Sequence, residues 1–199
     1  MKFLKLISLL LFLSALNCTN KNNNWSNIEV DSSIKKDTVF KYLNKNFEKS
    51  LFPLNHKNKK KSTQIIYYLK TSTNFNSNSK LYDYYDCKTS YANSDTLHIG
   101  IGIENGFGSA GIMIQCKDNK FNTKGYFYNH TNQKNTSKYK VIHQNLVLDK
   151  PSYKVNDSIF GKIDFEFIET NEFGTINHKG KMYFRNKVTK SWVDSAMLE

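Results

Sequence analysis

Asp164 and Glu166 stand two residues apart in KIDFEF. On an extended strand that spacing puts both carboxylates on one face, roughly 6.5–7 Å apart, a separation seen in pairs that do acid and base work. Acid catalysis would need an apolar pocket to raise one of the two pKa values. Lys162 shares their face, while Ile163, Phe165 and Phe167 take the other, so the pattern favours an ordinary solvated strand face. The run GFGSAG approaches the G-x-S-x-G pattern of a nucleophile elbow around Ser109. Phe107 occupies the place of the first glycine, and the run joins two strands rather than a strand and a helix, so a hairpin accounts for its glycines. GIGIENG has no lysine-bearing phosphate loop and leads into no helix. His56, His98, His130, His143 and His178 are dispersed, and neither H-E-x-x-H nor C-x-x-C occurs. These residues point to no catalytic group, no metal site and no cofactor.

Tyrosines are the remaining candidates. Tyr67, Tyr68, Tyr82, Tyr84, Tyr85, Tyr126 and Tyr128 would serve as an exposed platform for a glycan or peptide, or would pack within strands, which tyrosine also favours. Tyr126 and Tyr128 both point away from Phe127 and, with that face solvated, would be the best surface site. The basic loop HKNKKK reads as solvated; beside an anionic membrane each lysine would add about 1 kcal/mol of attraction.

The N terminus decides where the elements that carry these side chains begin. Lys2 and Lys5 precede an apolar run from Leu6 to Leu16, broken only by Ser8 and Ser14, and the chain turns polar at Asn17. This is the pattern of a secretory signal, too short for a spanning helix of roughly twenty residues. Ser14-Ala15-Leu16-Asn17-Cys18 resembles the lipobox of bacterial prolipoproteins. The resemblance implies a signal peptide over 1–17 and a diacylglyceryl thioether on Cys18, normally with a further acyl group on its amine. Several chains together hold a protein on a membrane persistently where one holds it reversibly. Thr19 in place of Asp favours, by the family's sorting rule, the outer membrane. The alternative is an ordinary cleaved signal, with Cys18 a bystander or a disulfide partner. Under the lipobox reading Cys87 and Cys116 remain in an oxidising compartment. A bridge between them would contribute roughly 3.5 kcal/mol in the chain-entropy model, and two buried free thiols on strands fit the sequence equally well.

Residues 18–33 read as the lipidated cysteine and an Asn-rich flexible tether with a reach on the order of 20 Å. Residues 34–199 are long enough for one β-rich domain with its own core. The chain carries Lys+Arg 29 against Asp+Glu 17, a net charge of +12. Nucleic acid is nonetheless not the expected partner: the chain is exported, its lysines are scattered among asparagines, and Arg185 is the sole arginine able to make bidentate phosphate or base contacts.

The domain opens with a helix predicted over 34–51, capped by Ser33 and stopped before Pro53, with Val39, Leu43, Phe47 and Leu51 in a stripe that Phe40 widens. The stripe packs on the domain's own core or, alternatively, lies on a membrane surface. Period-two alternation then predicts strands at 63–70, 80–87, 96–103, 110–116, 121–128, 139–148, 159–168 and near 179–188. Asn105-Gly106 and KDNK supply turns. Short connections imply antiparallel pairing, hence a mainly β fold: an antiparallel sandwich or barrel of about eight strands with one N-terminal helix. LVLDKPSYKVNDSIFGKIDFEF is similar to the strand, turn, Tyr, Asp and Gly pattern of many immunoglobulin-like sandwich domains, which favours sandwich over barrel. The expected function is that of a non-enzymatic, membrane-anchored envelope lipoprotein that binds a protein, glycan or lipid. The alternatives are a barrel carrying a small apolar ligand in a cavity lined by Leu97, Ile99, Ile112 and Ile114, and a hydrolase with an unrecognised site.

Overall fold

The computed structural model describes residues 24–49, 59–65, 70–71, 83–93, 95–104, 108–129, 137–172 and 174–190. The strands are β1 (Ser26–Asn27), β2 (Glu29–Val30), β3 (Thr63–Ile65), β4 (Lys70–Thr71), β5 (Asp86–Asn93), β6 (Thr96–Glu104), β7 (Gly108–Lys117), β8 (Lys120–Asn129), β9 (Lys138–Leu148), β10 (Ser158–Asn171) and β11 (Gly174–Lys187). They build two sheets, ordered β1-β8-β7-β6-β5 and β2-β9-β10-β11-β3, with β4 on β11. Every pairing is antiparallel except β2 with β9. The sheets stay separate rather than closing into a barrel, so the architecture is the sandwich.

The alternation visible in the sequence is the alternation of burial. Leu97, Ile99 and Ile101 of β6 lie opposite Cys116, Ile114 and Ile112 of β7, and all face Leu146, Ile159, Ile163, Phe165, Phe167 and Phe184 of the other sheet. The four side chains proposed to line a barrel cavity are thus packed in the core, with Ile99 and Ile114 fully buried. Gly161 admits this packing, because a Cβ there would stand 2.2 Å from the Phe184 ring.

Three sequence expectations need correction. The helix is shorter and split: a 3-10 turn, Ile34–Lys36, precedes α1 (Thr38–Lys45), and Asp37 rather than Ser33 is its cap, accepting the Val39 amide at 3.0 Å. Asp37 is an equally good cap and stands closer to the apolar stripe, so it wins. Phe40 and Leu43 are buried on the outer face of the second sheet against Val147, Phe160 and Tyr183, the Phe40 and Phe160 rings meeting edge to face at 5.2 Å. Phe47 leaves the stripe and lies exposed beneath the Lys60 ammonium, 3.9 Å from the ring centre. Leu51 falls outside the described residues.

The tether is the second correction. Within the predicted 18–33 coil, residues 26–30 form a strap that pairs with both sheets: Ser26 opposite Phe121 on one, Val30 beside Leu148 on the other. Ile28 between them packs on the main core, and its amide donates to the Asn119 carbonyl at 2.9 Å. Two-residue ladders leave no sequence period, so only long-range backbone bonds reveal them. Cys18 lies outside the described residues. Covalent geometry limits its distance from Ser26 to about 28 Å, against about 50 Å for a fully extended tether over 18–33.

Strand frames moved as well. The strand expected at 80–87 runs from Asp86 to Asn93 instead, with Cys87 and Thr89 inward. Thr89 is buried because its hydroxyl donates to the Lys187 carbonyl at 2.9 Å, a bond that hydropathy does not announce. The strand at 63–70 is observed as β3 and β4, with 66–69 outside the described residues, as are Asn105 and Gly106. The KDNK turn forms as expected: Asp118 and Asn119 have φ of 50° and 58°, the left-handed pair that a two-residue hairpin loop requires.

Candidate functional site

The described residues enclose a cleft of about 260 Å³ at the end of the sandwich where the strap crosses. One row of the first sheet forms its floor: Tyr91 of β5, Leu97 of β6 and Cys116 of β7 are register partners. Leu148, at the end of β9, and Tyr153 close it from the second sheet, and Ile28 of the strap forms a side. The mouth carries Asp95, Lys117, Asp118, Asn119 and Ser152.

Local bonds fix each wall. Tyr153 donates its hydroxyl proton to Asp149 Oδ1 at 2.7 Å, and the same oxygen accepts the Phe160 amide at 2.9 Å. The Lys150 amide donates to the Tyr153 oxygen at 3.2 Å. In LVLDKPSYKVNDSIFGKIDFEF the tyrosine therefore does anchor the connection between two strands. Tyr91 in turn donates its hydroxyl to the Tyr153 carbonyl at 2.7 Å. Both phenol protons are thus committed to protein acceptors, and the rings show the cleft their carbon faces. Burial, then the Asp149 bond, pushes the Tyr153 hydroxyl well above the usual phenol range. Burial likewise pushes the Cys116 thiol up to about 12, so it stands in the floor as a small neutral group rather than a nucleophile. At the mouth Lys117 meets Asp95 at 2.6 Å, and its hydrogen bond holds the Asp95 carboxyl below the usual range.

The residues singled out from sequence are placed elsewhere. Cys87 and Cys116 are both free and buried. Cys87 lies opposite Ile101, Ile101 opposite Ile112, and Cys116 is four residues farther on, two strands away. Strand spacing and rise put them on the order of 16 Å apart, whereas a disulfide needs Cα atoms within about 7 Å. The bridge is therefore excluded. Tyr126 is not an exposed platform. It occupies a row with Gly111, Gly102 and Asp86, and its ring lies across the glycines, so that a Cβ on Gly102 would stand 2.4 Å from its hydroxyl. Burial, then the Asp86 charge, raises its pKa above the ordinary phenol value. Tyr128 pairs with Ser109 in the ladder, and its side chain lies outside the described residues.

Asp164 and Glu166 share a strand face with cross-strand lysines directly opposite: Lys181 reaches Asp164 at 3.4 Å and Lys179 reaches Glu166 at 3.1 Å. The Asn177 bond and then Lys179 lower the Glu166 pKa, which keeps it ionised and unsuited to donate a proton. One carboxylate does have a raised pKa: burial dominates at Glu48, which accepts the Ser62 amide at 2.7 Å and the Ser62 hydroxyl. Ser62 is itself buried and also accepts the Cys87 amide at 2.8 Å, so the pair ties the segment before β3 to β5. Ser109 is buried, and its hydroxyl has no hydrogen-bond partner. His98 is buried on the opposite face of β6 from the core, and burial, then Lys124, lowers its pKa. His178 sits 2.8 Å from Glu169 and stacks on Phe167. Among the described residues no three His, Cys, Asp or Glu side chains gather as a metal-binding group.

Sequence reasoning missed the cleft because its walls come from residues 28, 91–97, 116–119 and 148–153, which only the fold assembles. Two local signals point to it: Ile28, one of three apolar residues with Trp25 and Val30 in a polar stretch, and the Asp118-Asn119 turn at its mouth. Comparison with protein-family models, with curated proteins and with solved structures gives no match for this chain.

Proposed function

We propose that the protein is a non-enzymatic binding module of the bacterial cell envelope, anchored by lipid on Cys18, most simply in the outer membrane, and that the end cleft takes its ligand. The cleft carries this reading. It is preformed, its floor is apolar, and its walls are held by hydrogen bonds internal to the protein, the usual character of a ligand site. The perturbed groups at it are a neutral thiol, bonded phenols and the Asp95–Lys117 pair, whose mutual bond keeps both charged, rather than an acid and base poised for proton transfer, which supports binding over catalysis. The strap supports the anchored reading, since it ties the chain just after Cys18 to the wall of the cleft and would hold the mouth near the bilayer. Nucleic acid is disfavoured further by Arg185, whose guanidinium is spent on the Lys61 and Leu43 carbonyls at 3.0 and 3.1 Å.

The test compares membrane partitioning of wild type and Cys18→Ala after a high-salt wash. Wild type should stay with the membrane and the variant should be released; retention of both would overturn the anchor.

A further inference from the structure

The cleft differs in charge from the rest of the molecule. The chain as a whole is strongly basic at +12, yet the charged residues lining the cleft are Asp95, Asp118 and one lysine, Lys117, which is already paired with Asp95 at 2.6 Å. These three charges leave a net −1 at the mouth, and Asp118, whose field Lys117 also feels, is presented by a hairpin turn whose backbone is fixed by the β7–β8 ladder and by the Ile28 to Asn119 bond. Below the mouth, Ile28, Leu97, Leu148, Cys116 and the two tyrosine rings offer carbon and sulfur surface. A volume of about 260 Å³ corresponds to roughly nine water volumes, enough for on the order of ten non-hydrogen atoms. An acidic rim over a small apolar floor selects a ligand with a cationic head and a short apolar body.

We propose that the cleft binds a small amine-bearing amphiphile, with one ring or a short chain as its apolar body lying on Leu97, Cys116 and Tyr153, and its ammonium held by Asp118 beside the Asp95–Lys117 pair. This inference rests on the cleft being the ligand site and names the class of ligand it takes. An anionic amphiphile of the same size meets the wrong charge at the mouth, and a bulkier ligand exceeds the volume.

The experiment is a nuclear magnetic resonance titration of the full chain with octylamine and with phenethylamine, using octanoate as the charge-reversed control. The amines should shift the Tyr91, Leu97, Cys116 and Asn119 amides saturably, and octanoate should bind about tenfold more weakly. Ser152→Trp, at an exposed position on the lip, should weaken the amines by about tenfold while leaving resonances of the sheets in place. Asp118→Asn keeps a residue that tolerates φ of 50°, so the turn survives, and it should narrow the gap between octylamine and octanoate. Shifts that fail to saturate or spread over the surface, octanoate binding as well as the amines, or an unchanged gap in Asp118→Asn would each overturn the proposal. Octanoate binding saturably at the same amides as well as the amines removes the ligand class alone; saturable binding by none of the three probes removes the cleft as a ligand site.

Discussion

The Gln144 side-chain oxygen accepts the Thr123 amide hydrogen at 3.0 Å, joining β9 of one sheet to β8 of the other across the seam where no backbone ladder runs. Its Nε2 donates to the Asn24 carbonyl at 2.6 Å and to the Ser26 hydroxyl at 3.0 Å. One side chain therefore closes the sandwich edge and fastens the strap that borders the cleft.

Gln144→Ala should destabilise the domain by about 1–3 kcal/mol, because the Thr123 amide loses its acceptor in a half-buried place. Urea unfolding reads the loss. Hydrogen exchange at Ile28 and Thr123 should quicken more than at Ile114, since the strap and seam are released while the central ladder stays. Uniform quickening would show that Gln144 is not a local clasp.

Tyr153→Phe keeps the ring on the cleft and deletes the proton donated to Asp149. Asp149 retains the Phe160 amide, so a cost of about 1–2 kcal/mol is expected in chemical unfolding. Asp149→Ala should cost more, because it leaves both the Tyr153 hydroxyl and the Phe160 amide without that acceptor.

Stability should fall on both sides of neutrality. His98 has a folded pKa below its ordinary 6.5, from burial and then Lys124, so the unfolded chain takes up a proton first and stability declines as pH falls below about 6.5. Cys116 has a folded pKa of about 12 against an ordinary 9.0, so the unfolded chain loses its proton first and stability declines as pH rises from about 9 towards 12. His98→Gln should flatten the acid limb and Cys116→Ala the alkaline limb of unfolding free energy against pH. A slope unchanged in either variant would reassign that limb to other groups.

Because Cys87 and Cys116 are too far apart to bridge, the native protein should yield two thiols on unfolding under non-reducing conditions and lose no stability to a reductant. Cys116, at the cleft floor, should be alkylated before Cys87, which is fully buried.

The core was legible where burial coincides with alternation. Leu97, Ile99 and Ile101 face inward in register, as do Ile163, Phe165 and Phe167, and from these a mainly β sandwich or barrel follows; the sheet order decides for the sandwich. Polar burial was not legible. Thr89 and Ser62 are interior because specific carbonyl, carboxylate and amide partners satisfy them, and those partners are distant in the chain. Platform and strand packing are both open for Tyr126 in the sequence because its position is outward; the glycines one and two strands away that let the ring lie flat are visible only through register. The face that carries Asp164 and Glu166 is legible from Lys162 beside them, and the lysines opposite complete it as a charged strand face.

The most direct measurement is the intact mass of the protein purified from its native membrane, followed by mass analysis of its N-terminal peptide. The account predicts a chain beginning at Cys18 with a diacylglyceryl thioether on its sulfur. A mature chain beginning elsewhere, or one beginning at Cys18 with a free thiol, would contradict it.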